Sequence, residues 1–317
     1  MKKINDLQFH DCLDTTFLLF EETRGEDSYC CVHKPDSSLI SVFDGCGGLG
    51  AQRYRVYQKH TGAYMASRLI SGAIYNWYQD HHSKEWGSPE DLLASLCKYF
   101  NEAYSIATSR ADSNISLGGS LLRDFPTTAA IALAQQAADG IKLHIIWAGD
   151  SRVYLMDESG LAQLTLDDAE DIDAFSNLYN DGALTNLLSS DGDYTLHYKT
   201  FVISKPTVIF AATDGCFDYF HSPMEFEYAL LHALEQAGSV DVFKELLRSC
   251  FSEITGDDFS LAFMSYFYGT FDNLKSAFAD RLSFLREEYI KPLENNRDKE
   301  YLKDLWGKYR SNYERHL

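Results

Sequence analysis

Short apolar runs broken by polar or glycine-bearing turns open the chain. Residues 16–20 and 29–32 are two such runs on either side of Glu21-Glu22-Thr23-Arg24-Gly25-Glu26-Asp27-Ser28, a pattern that predicts two strands flanking an acidic turn. Residues 39–43 have the length and β-branching of a buried strand and stop at Asp44-Gly45. The period then lengthens. Residues 57–78 carry Ala63, Ala66, Leu69, Ile70, Ala73 and Trp77 at three- and four-residue spacings, which predicts a helix with one buried face. A second helix opens at Ser88, with Pro89 in its first turn and Glu90 and Asp91 behind it, and runs to about Ser109. Residues 111–126 are polar and read as a loop.

Strand-like runs return at 127–135, 141–148, 153–156 and 161–164, with Asp157-Glu158-Ser159-Gly160 turning between the last two, and predict an antiparallel meander. Residues 167–193 are acidic and without regular period, the signature of a functional flap or a surface loop. Residues 207–212 and 259–267 read as buried strands; Ser222-Pro223 caps one helix between them and 242–250 supplies another. Helical stripes at 271–289 and 299–313, separated by Pro292 and Asn295-Asn296, form a tail. The tail is expected to lie on its own domain, the alternative being an exposed face from Trp306 to Tyr313 that dimerises or binds a partner.

With 317 residues, 45% of them hydrophobic, the chain can bury the core of one large domain or two small ones. Its 28 Lys and Arg against 47 Asp and Glu leave a net charge of -19, which argues against nucleic-acid binding and suits cations, or serves solubility alone. Seven scattered cysteines without a Cys-x-x-Cys pair indicate neither a zinc ribbon nor a disulfide framework and point to a reducing compartment. The N-terminus lacks the apolar segment of a targeting peptide, and no run approaches the ~18 apolar residues of a spanning helix. A cytoplasmic protein without membrane contact is expected.

Asp44, Asp150, Asp214 and Asp257 each stand beside a glycine at the edge of an apolar strand. Any one of them is explained by turn chemistry. Four together suggest carboxylates gathered at one end of a sheet system, an arrangement that repulsion makes costly unless cations sit between them. Oxygen donors without His or Cys at the same points select Mg²⁺ or Mn²⁺ over zinc or copper.

In chain order, Glu26-Asp27, the block Val42-Phe43-Asp44-Gly45-Cys46-Gly47-Gly48, Thr127-Thr128-Ala129, Gly149-Asp150-Ser151-Arg152 with Leu164-Thr165, Ala183-Leu184-Thr185-Asn186-Leu187-Leu188, Ala212-Thr213-Asp214-Gly215-Cys216-Phe217-Asp218 and Gly256-Asp257-Asp258-Phe259-Ser260 follow one family's pattern. By these segments the chain resembles the metal-dependent PPM or PP2C-like Ser/Thr protein phosphatases, of bacterial type. The resemblance implies an α+β fold, a four-layer α-β-β-α sandwich of two antiparallel sheets, over residues 1–268, with 269–317 as a C-terminal helical extension. By position, Asp44 would bridge two ions of Mn²⁺ or Mg²⁺, and the Gly45 carbonyl would bind one of them. Asp214 and Asp257 would complete the shell, Glu26 and Asp27 would act largely through water, and Asp150 with Asp214 would hold a third, looser ion. The implied reaction is hydrolysis of phosphoserine or phosphothreonine in a phosphoprotein, in opposition to a Ser/Thr kinase. A metal-activated water would attack in line, with no phosphoenzyme.

Two candidate catalytic residues depart from the family pattern. Cys46 stands where many members carry a histidine proposed as general acid to the leaving oxygen. Arg24 lies nearer the Glu-Asp pair than the family's phosphate-binding arginine, and Glu22 falls about where that arginine belongs. Two further readings follow: a pseudophosphatase that keeps the fold as a binding module, and a small-molecule phosphoesterase on the same scaffold.

Overall fold

The computed structural model describes residues 15–19, 25–111, 124–169 and 183–317. Its central strands are buried on both faces, and the two-residue period of a strand divides each apolar run between two layers of core. In β3 (Ser37–Phe43), Leu39 and Phe43 face outward toward helices while Ile40 and Val42 face a second sheet. The same division recurs in β11 (Thr207–Ala212), where Val208, Phe210 and Ala212 face helices and Ile209 and Ala211 face inward.

Pairing generates two five-stranded antiparallel sheets. One runs β10 (His197–Ile203), β7 (Gly140–Ala148), β6 (Ala129–Ala137), β3, β2 (Ser28–Lys34). The other runs β1 (Thr15–Leu19), β12 (Phe259–Tyr266), β11, β8 (Arg152–Asp157), β9 (Gly160–Gln163). Between them lies a layer rich in small side chains, Ala130, Ala132 and Ala134 meeting Ala211 and Ala262, so the sheets approach closely. Helices α1 (Gly62–His81) and α2 (Pro89–Arg110) cover the first sheet. Helices α3 (Pro223–Gln236) and α4 (Val240–Ile254) cover the second, completing the α-β-β-α order expected from the resemblance.

Several expectations need correction. The strands at 141–148 and 153–156 do not form one meander, because β7 pairs with β6 and β10 whereas β8 pairs with β9 and β11. Gly149, at φ +93°, is where the chain leaves one sheet for the other. The two strands that flank the acidic turn lie in different sheets, β1 pairing with β12 and β2 with β3. Helix α1 starts at Gly62 and not at 57, since Gln58 and Lys59 are left-handed (φ 55° and 65°) and fold the short strands β4 (Arg53–Tyr54) and β5 (His60–Thr61) into a hairpin. Thr61 then caps the helix, its Oγ1 accepting from the Tyr64 amide at 3.1 Å.

The tail comprises α5 (Phe271–Ala277), α6 (Ala279–Leu285), a π-helical turn over Arg286–Ile290, α7 (Lys291–Asn295) and α8 (Lys299–Tyr313). Leu282, Leu285, Trp306, Tyr309 and Tyr313 join Tyr154, Phe210 and Phe226 in a single cluster on the outer face of the second sheet. The expected alternative of an exposed face from Trp306 to Tyr313 does not hold, as those side chains are 3% and 1% exposed. Glu227, fully buried, anchors the tail: Arg281 donates to both its oxygens at 2.7 and 2.8 Å, and the Tyr309 hydroxyl donates to it at 2.5 Å. Among the described residues no helix is long and apolar enough to cross a membrane.

Candidate metal centre

Strand register sets the site. Because Ser28 pairs with Phe43, the residues just beyond that pair, Asp27 and Asp44, meet at the end of the first sheet. Asp214 follows β11 in the second sheet, and Asp150 lies in the crossing between β7 and β8. All four carboxylates interact. Burial first, then the charge of Asp214, pushes Asp27 up to about 7. Burial, Asp214, Asp27 and Asp150 push Asp44 well up, and burial, Asp214, Asp167 and Asp218 do the same to Asp150.

Threonines hold this group in place. Thr127 Oγ1 donates to the Asp44 carbonyl at 2.6 Å, Thr128 N donates to the same oxygen at 2.8 Å, and the Asp44 amide donates to Thr128 Oγ1 at 3.2 Å. Thr128 Oγ1 also meets Ser151 Oγ at 2.6 Å, tying the end of β3 to the turn that carries Asp150. Thr213 Oγ1 donates to Asp27 Oδ2 at 2.9 Å and accepts from the Ser260 amide at 2.8 Å. Thr61 Oγ1 donates to Glu26 Oε1, so the residue that caps α1 also orients Glu26.

Two glycines of the block sit where a side chain would meet its neighbours. A Cβ at Gly45 would stand 2.6 Å from the carbonyl oxygens of both Ala63 and Glu26, and one at Gly47 would collide with the Glu26 carboxylate. Cys46, half-buried, has its thiol pushed well up by burial and by the charges of Asp44, Asp150 and Asp214. It is therefore a protonated thiol at neutral pH.

Sequence and structure differ at the second aspartate pair. Asp257 is exposed and exerts its charge on Tyr219 and Asp258. Its neighbour Asp258 instead turns inward and accepts from the Glu26 amide at 2.5 Å. The structure thus brings together Asp27, Asp44, Asp150 and Asp214, with Glu26 and Gly45 against them, and leaves Asp257 at the rim. Asp258, Asp218 and the supporting threonines carry parts of the site that residue spacing did not single out. Arg24 lies outside the described residues. A described cation at this edge is Arg68 on α1, which donates to the Gly25 carbonyl at 2.9 Å and feels the charges of Asp27 and Asp258.

The donors suit a hard divalent cation. They are carboxylate oxygens, and Asp150 Oδ1 is buried with no hydrogen-bond partner, a cost that a bound ion would remove. Among the described residues no three His, Cys, Asp or Glu side chains converge into a finished ligand cage.

Comparison with known proteins agrees with this architecture. A family profile described as Protein phosphatase 2C matches residues 20–250. Similar solved structures include the serine/threonine phosphatase Stp1 from Staphylococcus aureus, at 16% identity and TM-score 0.60, covering 81% of this chain and 96% of that one. The Mycobacterium tuberculosis serine/threonine phosphatase PstP/Ppp follows at 19% identity and TM-score 0.54, with 80% and 98% covered. PppA of Pseudomonas aeruginosa, described as a key regulatory component of its T6SS, shows 15% identity and TM-score 0.53, with 81% and 98% covered. No curated protein matches the chain by sequence. At these identities the neighbours speak for the fold, and the profile, spanning well over half the chain, speaks for descent: this chain belongs to the protein phosphatase 2C family.

Proposed function

We propose that the chain is a Mn²⁺- or Mg²⁺-dependent phosphoprotein phosphatase that hydrolyses phosphoserine and phosphothreonine. The observation that carries this reading is the convergence of Asp27, Asp44, Asp150 and Asp214 at the strand ends of a PP2C fold. Asp44 and Asp214, with the Gly45 carbonyl, would hold two ions. Glu26 and Asp27 would serve through water, Asp150 would hold a third ion, and Asp257 would turn in from the rim. When bound, such ions lower the pKa of water and neutralise phosphoryl charge.

The chain's own residues supply placement and proton control. Thr127 and Thr128 fix the backbone of Asp44, and Thr213 and Thr61 orient Asp27 and Glu26. Cys46, held protonated, can donate a proton to a leaving oxygen but is no nucleophile at neutral pH. Arg24 is the candidate for orienting the phosphate. A cytoplasmic location and a place opposite a Ser/Thr kinase in signalling complete this reading; the chain has no Cys-x-x-Cys pair or disulfide-like cysteine spacing.

One observation favours a second reading. The outward placement of Asp257, together with Cys46 in place of a histidine, suits a binding module that has lost turnover. Phosphate release from phosphoserine and phosphothreonine peptides and from an aryl phosphate, with and without Mn²⁺, separates the possibilities. A protein phosphatase releases phosphate from the peptides only with Mn²⁺. Turnover restricted to small phosphoesters would indicate a small-molecule enzyme, and none with either substrate at millimolar Mn²⁺ would indicate the binding module.

A further inference from the structure

The tail reaches beneath the acidic centre. Tyr313, in the last turn of α8, is 1% exposed, and its hydroxyl points at the Tyr154 hydroxyl 3.5 Å away, with the two ring centroids 6.2 Å apart. Tyr154 Oη in turn accepts from Arg152 Nη1 at 3.3 Å. Arg152 grips Asp167 through Nε at 3.0 Å and Nη2 at 2.6 Å, and its guanidinium lies 4.0 Å over the Phe217 ring. The segment that carries Asp167 lies against the turn that carries Asp150: the Asp168 amide donates to the Gly149 carbonyl and the Gly149 amide donates to Asp168 Oδ2, both at 3.0 Å, so the charge of Asp167 reaches Asp150.

Tyr313 is not free to move aside. Two residues on, Arg315 Nη2 donates to Asp157 Oδ1 and to the Gly160 carbonyl, both at 2.9 Å. One residue before it, Asn312 Nδ2 donates to the Ser159 carbonyl at 2.8 Å. These bonds fasten the end of α8 to the turn between β8 and β9, and β8 is the strand that carries Arg152 and Tyr154.

The charge that Asp150 meets depends on how closely Arg152 neutralises Asp167, and the seat of Arg152 is bounded on the tail side by Tyr154 and Tyr313. We infer that the C-terminal helix is a built-in strut of the acidic centre, with Tyr313 a positioning residue for the cation subsite at Asp150. This rests on the reading of Asp150 as an ion ligand. The contact between the hydroxyls is long, so the ring rather than the hydroxyl carries the effect.

Calorimetric titration of Mn²⁺ into the metal-free 317-residue chain tests it. Tyr313→Leu is expected to weaken the most weakly held ion at least fivefold while Tyr313→Phe stays within twofold of the native value. Arg315→Gln, which loosens the end of α8 without removing a core ring, is expected to act in the same direction and serves if Tyr313→Leu does not fold. In an Asp150→Asn background these changes should add nothing further. Unchanged Mn²⁺ binding in the folded variants, or equal weakening with and without Asp150, would overturn the strut. An Asp150→Asn protein that binds as many ions as tightly as the native one contradicts the assignment of Asp150 itself, and the strut falls with it.

Discussion

Asp27 and Asp44 stand side by side at the open end of β2 and β3, one residue beyond the Ser28–Phe43 pair, and burial together with neighbouring carboxylates pushes both of them up. Two buried carboxyl groups this close favour a state in which they share one proton.

That proton has a signature in stability. Asp27 is raised from 3.8 to about 7, so between those values the folded protein binds a proton that the unfolded chain has released. Its contribution to stability is therefore full below about pH 4 and is lost as pH rises through about 7. Urea unfolding in the presence of a chelator should show the native protein losing stability relative to Asp27→Asn between pH 5 and about 8. Mn²⁺ added at the upper end should restore it. A difference between the two proteins that is flat across this range contradicts the shared proton.

Gly45 has no room for a side chain. With the carbonyls of Ala63 and Glu26 both 2.6 Å from the position of a Cβ, Gly45→Ala must push apart β3, α1 and the Glu26 segment. A loss of about 1–3 kcal/mol is expected, read from chemical denaturation, with weakened Mn²⁺ binding alongside.

The tail is held by a buried ion pair, and breaking one side of such a pair costs more than removing both. Arg281→Met should cost about 3–5 kcal/mol, because Glu227 is left fully buried without the guanidinium that pairs with it, the Tyr309 hydroxyl still donating to it. The double change Glu227→Gln with Arg281→Met should recover part of that loss in the same denaturation experiment.

Cys46 should resist alkylation. Burial and three surrounding carboxylates keep its thiol protonated, and the thiolate is the reactive form. Iodoacetamide at pH 7.5 should label it far more slowly than a free thiol in solution, with labelling followed by mass spectrometry. Modification as fast as that of the free thiol would contradict the environment described for it.

The strand ends at Asp44, Asp150 and Asp214 are legible in the chain because a carboxylate beside glycine after an apolar run marks where a strand stops. Their meeting is less so. That Asp27 faces Asp44 depends on the register between Ser28 and Phe43, which the intervening hairpin sets. Asp257 and Asp258 illustrate the limit most clearly. Adjacent residues entering a strand point to opposite sides, and composition alone does not say which of two aspartates goes inward. The threonines that fix the site are ordinary strand residues in the sequence and acquire their role only when Thr128 meets Ser151 and Thr213 meets Asp27. Edge strand β10 is not legible in the apolar pattern because His197, Lys199 and Thr200 interrupt its apolar residues, as suits a strand with one unpaired side.

The most direct test of the account compares the native protein with Asp214→Ala, whose carboxylate acts on Asp27, Asp44 and Asp150 alike. Phosphate release from a phosphothreonine peptide is measured against Mn²⁺ concentration, with folding of both proteins confirmed by circular dichroism. The account predicts Mn²⁺-dependent turnover by the native protein and its abolition in Asp214→Ala. Turnover that is indifferent to Mn²⁺, or that survives loss of Asp214, would contradict it.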